Sequence, residues 1–267
     1  MKRIIAIITL AMVSGGAFAQ TDGETNTKTG IVLANEHKIV VEARRSAMNF
    51  DKIEVSNAIR LIVEERTKGN IIVRAPQSIM PYVSLMVKDG TLYATLLRGT
   101  PISRRSNLLA EVYIPNNGQI REIEAESAAR VIVKPTIMGE ELDLNAKGAS
   151  TIKCKMEVGE LDVELAGAAN AELCGTAQKG EIEVSGASTL QAEKLEVSSL
   201  ELECSGASKA TSKATFCEAK SFGASAIIIE CSQQLNATAK GASSITYSGD
   251  CKINTIANSG ASTIIKK

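Results

Sequence analysis

Gly148-Ala149-Ser150 returns along the chain as Gly167-Ala168-Ala169, Gly186-Ala187-Ser188, Gly206-Ala207-Ser208, Gly223-Ala224-Ser225, Gly241-Ala242-Ser243 and Gly260-Ala261-Ser262. Subtracting neighbouring glycine numbers gives steps of 19, 19, 20, 17, 18 and 19. A near-constant period of this size marks a stacked repeat. Count each Gly as zero. Position +4 holds Ile152, Ala171, Leu190, Ala210, Ile227, Ile245 and Ile264. Position −4 holds Leu144, Val163, Ile182, Leu202, Ala219, Ala237 and Ile256, and position −6 holds Leu142, Leu161, Gly180, Leu200, Cys217, Leu235 and Asn254. Apolar residues at even offsets with polar ones between them have period 2, which is strand and not helix.

One such unit cannot bury its own apolar face, but a stack of copies can, each adding about 4.8 Å along the axis. The expected fold is all-β: a single-stranded parallel β-helix, or β-solenoid, of about 19 residues per coil, with less regular N-terminal coils. Gly supplies positive φ at the corner. Ala is expected to fill a narrow interior corner, and Ser to bond the Ser of the next coil. The competing fold is a β-sandwich of antiparallel hairpins, but the regular repeats carry no Asn-Gly or Asp-Gly two-residue turn. Weaker copies of the pattern centre on Ser127, between Ile123 and Val131, and on Asn57, between Ile53 and Leu61. The 70 residues from Asn57 to Ser127 leave room for three or four longer turns between those two corners. Within them, Tyr82 to Val87, Lys88-Asp89-Gly90 and Leu92 to Leu97 read as strand, turn and strand.

Residues 1–19 read as a signal peptide: Lys2 and Arg3, a short apolar run from Ile4 to Val13, and a small-x-small site at Ala17-Phe18-Ala19. The run is too short to span a bilayer as a mature helix. No cysteine follows the site, so no lipid anchor is expected there. Residues 20–49 read as a polar tether with a possible first strand at Ile39-Val40-Val41. Residues 50–267 read as one β-helix domain, irregular over 50–120 and regular over 121–267. The expected location is outside the cytoplasm, in the periplasm or at the cell surface.

Lys plus Arg and Asp plus Glu are each 30, so nothing in the charge balance suits a nucleic-acid partner. The charge is nevertheless patterned. Five places before the corner stand Glu122, Asp143, Asp162, Glu181 and Glu201, and three before it Glu124, Glu164, Glu183 and Glu203. Stacking sets these carboxylates in a stripe, where neighbours about 4.8 Å apart repel by about 0.9 kcal/mol in water. The stripe reads first as a solvated face that discourages sheet-to-sheet aggregation. Its sharper reading is a surface for a divalent cation or a basic partner. Of six cysteines, Cys204 and Cys217 fall in inward columns as small apolar fillers. Cys154 with Cys174, and Cys231 with Cys251, fall on adjacent coils where bridging is open. No Cys-x-x-Cys exists to hold zinc, and no cofactor is expected.

The only histidine is His37, on the polar N-terminal stretch, so a His-dependent nucleophilic site has no structured base. The best enzymatic alternative is polysaccharide cleavage by paired acids such as Asp162 and Glu164. Against it, the chain has no Trp and only four Tyr and four Phe for a sugar platform. No catalytic and no metal-ligating residues are assigned.

Phe50-Asp51-Lys52-Ile53-Glu54-Val55, Lys88-Asp89-Gly90-Thr91-Leu92, Val112-Tyr113-Ile114-Pro115 and the Gly-Ala-Ser repeat together resemble the bacterial head GIN domain family, described as "putative auto-transporter adhesin". The resemblance covers roughly residues 50–267 and implies a β-helical, adhesive protein. No run of about ten-residue amphipathic strands suits a C-terminal membrane barrel, so self-transport is not expected. The expected role is an exported, non-catalytic adhesin or envelope scaffold. Its partner would be a protein or glycan surface, and it would be a monomer or a dimer.

Overall fold

The computed structural model describes residues 29–33, 39–46, 49–65, 69–100 and 110–267. The expected signal peptide and His37 lie outside the described residues. The regular coils are built from β10 (Arg130–Ala146), β11 (Thr151–Leu165), β12 (Asn170–Val184), β13 (Thr189–Cys204), β14 (Lys209–Gly223) and β15 (Ala226–Gly241). Beyond them come β16 (Ser244–Ser248), β17 (Lys252–Gly260) and β18 (Thr263–Lys266). From β10 to β15 each strand pairs the next in parallel, β15 pairs both β16 and β17, and β16 pairs β18, so that Ile245 lies over Ile264 as a vertical neighbour. This is the expected parallel solenoid.

The corner glycine anchors the register. Each corner's Ala N–H donates to the Gly carbonyl of the coil before it, from Ala168 to Gly148 (2.8 Å) through Ala261 to Gly241 (2.8 Å). Coils of unequal length still keep their corners aligned, because surplus residues are taken up before the corner is reached, most of them at the return bend. Between the 20-residue step at Gly186 and the 17-residue step at Gly206 the surplus is 20 − 17 = 3 residues. There Ala192 pairs Ser212 while Glu196 pairs Lys213, so residues 193–195 form the bulge. Smaller offsets fall in the bends near Glu172 and Ala214, and near Leu235.

The corner side chains correct one expectation. The Ala points outward and the Ser inward: Ala149, Ala187 and Ala207 are exposed, while Ser150, Ser188 and Ser208 are buried. Nor does the Ser bond the next Ser. Ser208, Ser225, Ser243 and Ser262 donate to the carbonyls of Val184 (2.9 Å), Cys204 (3.0 Å), Ser221 (2.7 Å) and Ala239 (3.0 Å). A side chain two residues past the corner projects inward, within reach of backbone carbonyls of the previous coil and, for Ser225, Ser243 and Ser262, of its own. Ser150 Oγ is buried with no hydrogen-bond partner. Ser208→Ala is therefore expected to lose about 1 kcal/mol of stability, and Ser150→Ala none or to gain slightly; urea denaturation of both variants checks the contrast.

The N-terminal layers correct a second expectation. They comprise β3 (Lys52–Val55), β4 (Ile59–Glu64), β5 (Asn70–Pro76), β6 (Val83–Lys88), β7 (Thr91–Leu96), β8 (Ala110–Pro115) and β9 (Glu122–Ala125). No three or four turns separate the Asn57 and Ser127 corners. They are direct neighbours: β3 pairs β9, β4 pairs β10, and Ala58 N–H donates to Ser127 O (3.2 Å). The described strands between them lie on the other side of the 52–64 coil. There β7 and β8 add one parallel layer beneath β3 and β4. Antiparallel β5 and β6 then close that end. β1 (Thr29–Leu33), within the stretch read as a tether, pairs antiparallel with β2 (Ile39–Ser46), which contains the expected first strand and pairs β5. The expected hairpin stands: β6 and β7 flank Asp89-Gly90, at φ 49° and 81°, the primed turn that suits twisted strands.

The core is a set of vertical columns. Ile53, Ile123, Leu144, Val163, Ile182, Leu202, Ala219 and Ala237 stack in register, each at most 1% exposed. The column opens at its last member, Ile256, which is 52% exposed.

Candidate functional site

The outward side of the strand before each corner carries the expected stripe, now as a ladder. Lys52 pairs Glu122, and Glu122, Asp143, Asp162, Glu181, Glu201 and Glu218 follow one another rung by rung to Asn236. All five sequence candidates, Glu122, Asp143, Asp162, Glu181 and Glu201, are thus brought together on one face. A second column runs beside it: Glu54, Glu124, Asn145, Glu164, Glu183, Glu203 and Lys220.

Lysines interleave with the acids, which the sequence stripe did not foretell. Lys52 bonds Glu122 at the lower end. Lys147 stands between Glu124 (3.7 Å) and Glu164 (3.6 Å), and Lys220 between Glu201 (2.6 Å) and Glu218 (2.9 Å). Both carboxylates hold the Lys220 ammonium well above its ordinary pKa. Asp143, Asp162 and Glu181 make no ion pair among the described residues. The middle of the ladder is therefore three successive acids without an ion pair, between ends where lysines pair the carboxylates. Partial burial raises the Asp143 carboxyl, and Glu141, Asp162 and Glu122 add repulsion. Glu54 is raised likewise, by partial burial and then by Glu124, Glu126 and Glu122.

A carboxyl whose pKa rises on folding stabilises the folded state fully below its unfolded pKa. That contribution is lost as pH climbs through the folded value. At neutral pH these two acids therefore oppose folding. Asp143→Asn is expected to raise stability at pH 7 by up to about 0.5 kcal/mol, and the gain should fade as pH falls to about 3, below the unfolded carboxyl's pKa, where both versions are neutral. Thermal melts of the pair across pH 3–7 check the sign.

A shallow groove of about 280 Å³ lies on this same face, lined by Lys179, Glu181, Glu201, Phe216 and Glu218 among others. Two sequence features shape it. Gly180 occupies an inward column where most coils carry Leu, and Val197 and Leu200 crowd the space a side chain would fill. Phe216 lies outward, 44% exposed, where neighbouring rungs carry Ser199 and Gln234. The missing side chain at Gly180 was visible in the sequence as a break in its column. The placement of Phe216 depended on the shortened bend before it.

Asp162 and Glu164 stand two apart on the outward side of β11, Asp162 exposed and Glu164 beside Lys147. Neither lines the groove. No group of three or more His, Cys, Asp or Glu side chains is arranged to hold a metal ion among the described residues. No helix among them is long and apolar enough to cross a membrane. All six cysteines are free thiols. Burial pushes Cys154 and Cys204 up to about 12 and Cys231 up to about 11.

Solved structures with the same architecture come from Parabacteroides and Bacteroides. The chain is similar to a "putative adhesin" from Parabacteroides distasonis ATCC 8503, at 19% identity and a TM-score of 0.71, covering 86% of this chain and 98% of that one. It is similar to another from Parabacteroides merdae ATCC 43184, at 20% identity and 0.70, covering 85% and 96%. A third, from Bacteroides fragilis NCTC 9343, gives 19% and 0.65, covering 85% and 97%. At this identity they speak for the fold alone. No curated protein matches. Residues 49–216, from the first solenoid strand to the exposed Phe of the groove, match one family model, and the chain belongs to that family, described as "putative auto-transporter adhesin, head GIN domain".

Proposed function

We propose that the protein is an exported, non-catalytic solenoid that presents its ladder face to a protein or glycan surface, as an adhesin or cell-envelope scaffold. The observation that carries this reading is the register of the outward columns. One strand face repeats its side chains rung on rung, fixed by backbone bonds, from Lys52 to Asn236. A face already held rigid loses little conformational freedom on binding. Its acidic middle favours a partner with cationic groups, through contacts that weaken as salt screens them. The adhesive part draws on the family's description.

Location and binding are tested separately. Protease treatment of intact cells should cleave the protein if it works at the surface; protection until the envelope is opened would rule out adhesion and leave the scaffold role. Purified protein should be retained on a cationic matrix at low salt. A triple Asp143→Asn, Asp162→Asn, Glu181→Gln variant should lose most of that retention. Retention indifferent to both salt and the triple change would sink the ladder as the binding face.

A further inference from the structure

Three of the six cysteines converge where the last return bends stack. Cys217 lies on β14, Cys231 on β15 and Cys251 immediately before β17. Glu230 pairs Ser248 ahead of the bend and Gln234 pairs Lys252 after it. Each bend thus spans three residues, 231–233 and 249–251, and one lies over the other. Gly249 sets how closely they approach. Its φ is +95°, and a Cβ there would stand 2.2 Å from the Cys231 carbonyl oxygen. Only glycine lets the upper bend settle onto the lower, and this brings Cys251 of the upper bend close to Cys231 of the lower.

The two thiols have unlike surroundings. Cys231 is buried and its Sγ donates to Gln234 O at 3.0 Å. Cys251 is half-buried, packing on the core with one side open to solvent. Cys217 is buried behind them and feels both. The other adjacent-coil pair is aimed elsewhere. The Cys154 thiol points to Lys155 O (3.6 Å) and the Cys174 thiol to Cys154 O (3.8 Å). The sequence left both pairs open to bridging, and the structure separates them.

We propose that Cys231 and Cys251 form a dithiol site that closes to a disulfide under a small-molecule disulfide oxidant, clamping the final return bend to the one beneath it. This goes beyond the surface role and does not depend on it. Cys251, the accessible partner, attacks one sulfur of glutathione disulfide as its thiolate. A Cys251–glutathione mixed disulfide forms, and the first glutathione leaves as a thiolate that takes up the proton Cys251 lost. Cys231 then gives up its proton and attacks Cys251 Sγ. The mixed bond breaks and the second glutathione leaves, taking that proton. Two protein thiols are oxidised to one disulfide, and one glutathione disulfide is reduced to two glutathione thiols.

The full chain, incubated folded with glutathione disulfide at pH 8, is then denatured, alkylated and digested with trypsin. Cys217, Cys231 and Cys251 fall in three different peptides, bounded by Lys213, Lys220, Lys240 and Lys252. Two of the six thiols should disappear, the 221–240 and 241–252 peptides should emerge joined, and the melting temperature should rise, reversibly with dithiothreitol. Cys217→Ala should leave the cross-link intact, and Cys251→Ser should abolish it with five alkylated thiols remaining. Six free thiols after oxidation would overturn the proposal. So would glutathione stably retained on Cys251, or a link that uses Cys217 or Cys154 instead.

Discussion

Gly175→Ala is expected to destabilise the protein by about 4 kcal/mol or more. Two separate penalties meet at this residue. Its φ of +118° lies outside the space that an L side chain readily adopts, and a Cβ there would stand 1.8 Å from the Met156 carbonyl oxygen. The obstacle is backbone held by the parallel ladder, in which Met156 pairs Gly175, so it cannot swing aside as a long side chain would. The coils would have to part locally. Gly118→Ala isolates the conformational penalty, because φ there is +70° with nothing within 4 Å of the added methyl; about 1 kcal/mol is expected. Urea denaturation followed by circular dichroism measures both. Equal losses would show that the close approach at Gly175 does not hold the coils.

Leu202→Ala carries the second large expectation, a loss of about 2–5 kcal/mol. Leu202 is fully buried in the column between Ile182 on one side and Ala219 on the other. Ala219 is too small to relax into the space a truncated Leu202 would leave, which places the cost toward the upper part of that range. Each coil is stabilised mainly through its neighbours, so the defect should appear as local opening. Limited proteolysis of the variant should give new cuts between residues 182 and 219 before the rest of the chain is attacked. Leu97→Ala is the matched control: Leu97 is 50% exposed, and its loss should stay within about 0.5 kcal/mol. A similar cost at both positions would contradict the columnar core.

The repeat was legible because period 2 decides which residues face in, and a recurring glycine decides where the chain turns. Those two signals place Ile182 under Leu202 and Ile245 under Ile264 without coordinates. They do not say which coil lies next to which once the repeat lapses. Strands β3 and β9 pair across 70 residues, and nothing between Glu64 and Gln119 counts coils. The layer order at the N-terminal end therefore depends on long-range pairing that alternation alone leaves open. Corner orientation was hidden for a different reason. Ala and Ser are both small enough for either side, and the choice falls to backbone geometry. The acids of the ladder were legible as a column, since they keep a constant offset from the glycine. The lysines that bracket its middle were not, because an ammonium on a long stem reaches across rungs from positions outside the column.

The return bends have a practical consequence. Between Gly186 and Gly206 the chain already carries three residues more than the next coil needs, and both corners stay aligned. Glu193 and Lys194, within that surplus, are exposed. A foreign peptide grafted between them would be displayed on the flank of the stack, with hydrogen-bonded rungs above and below undisturbed. The molecule thus has a natural slot for epitopes or tags, on the side opposite the corners that keep its layers in step.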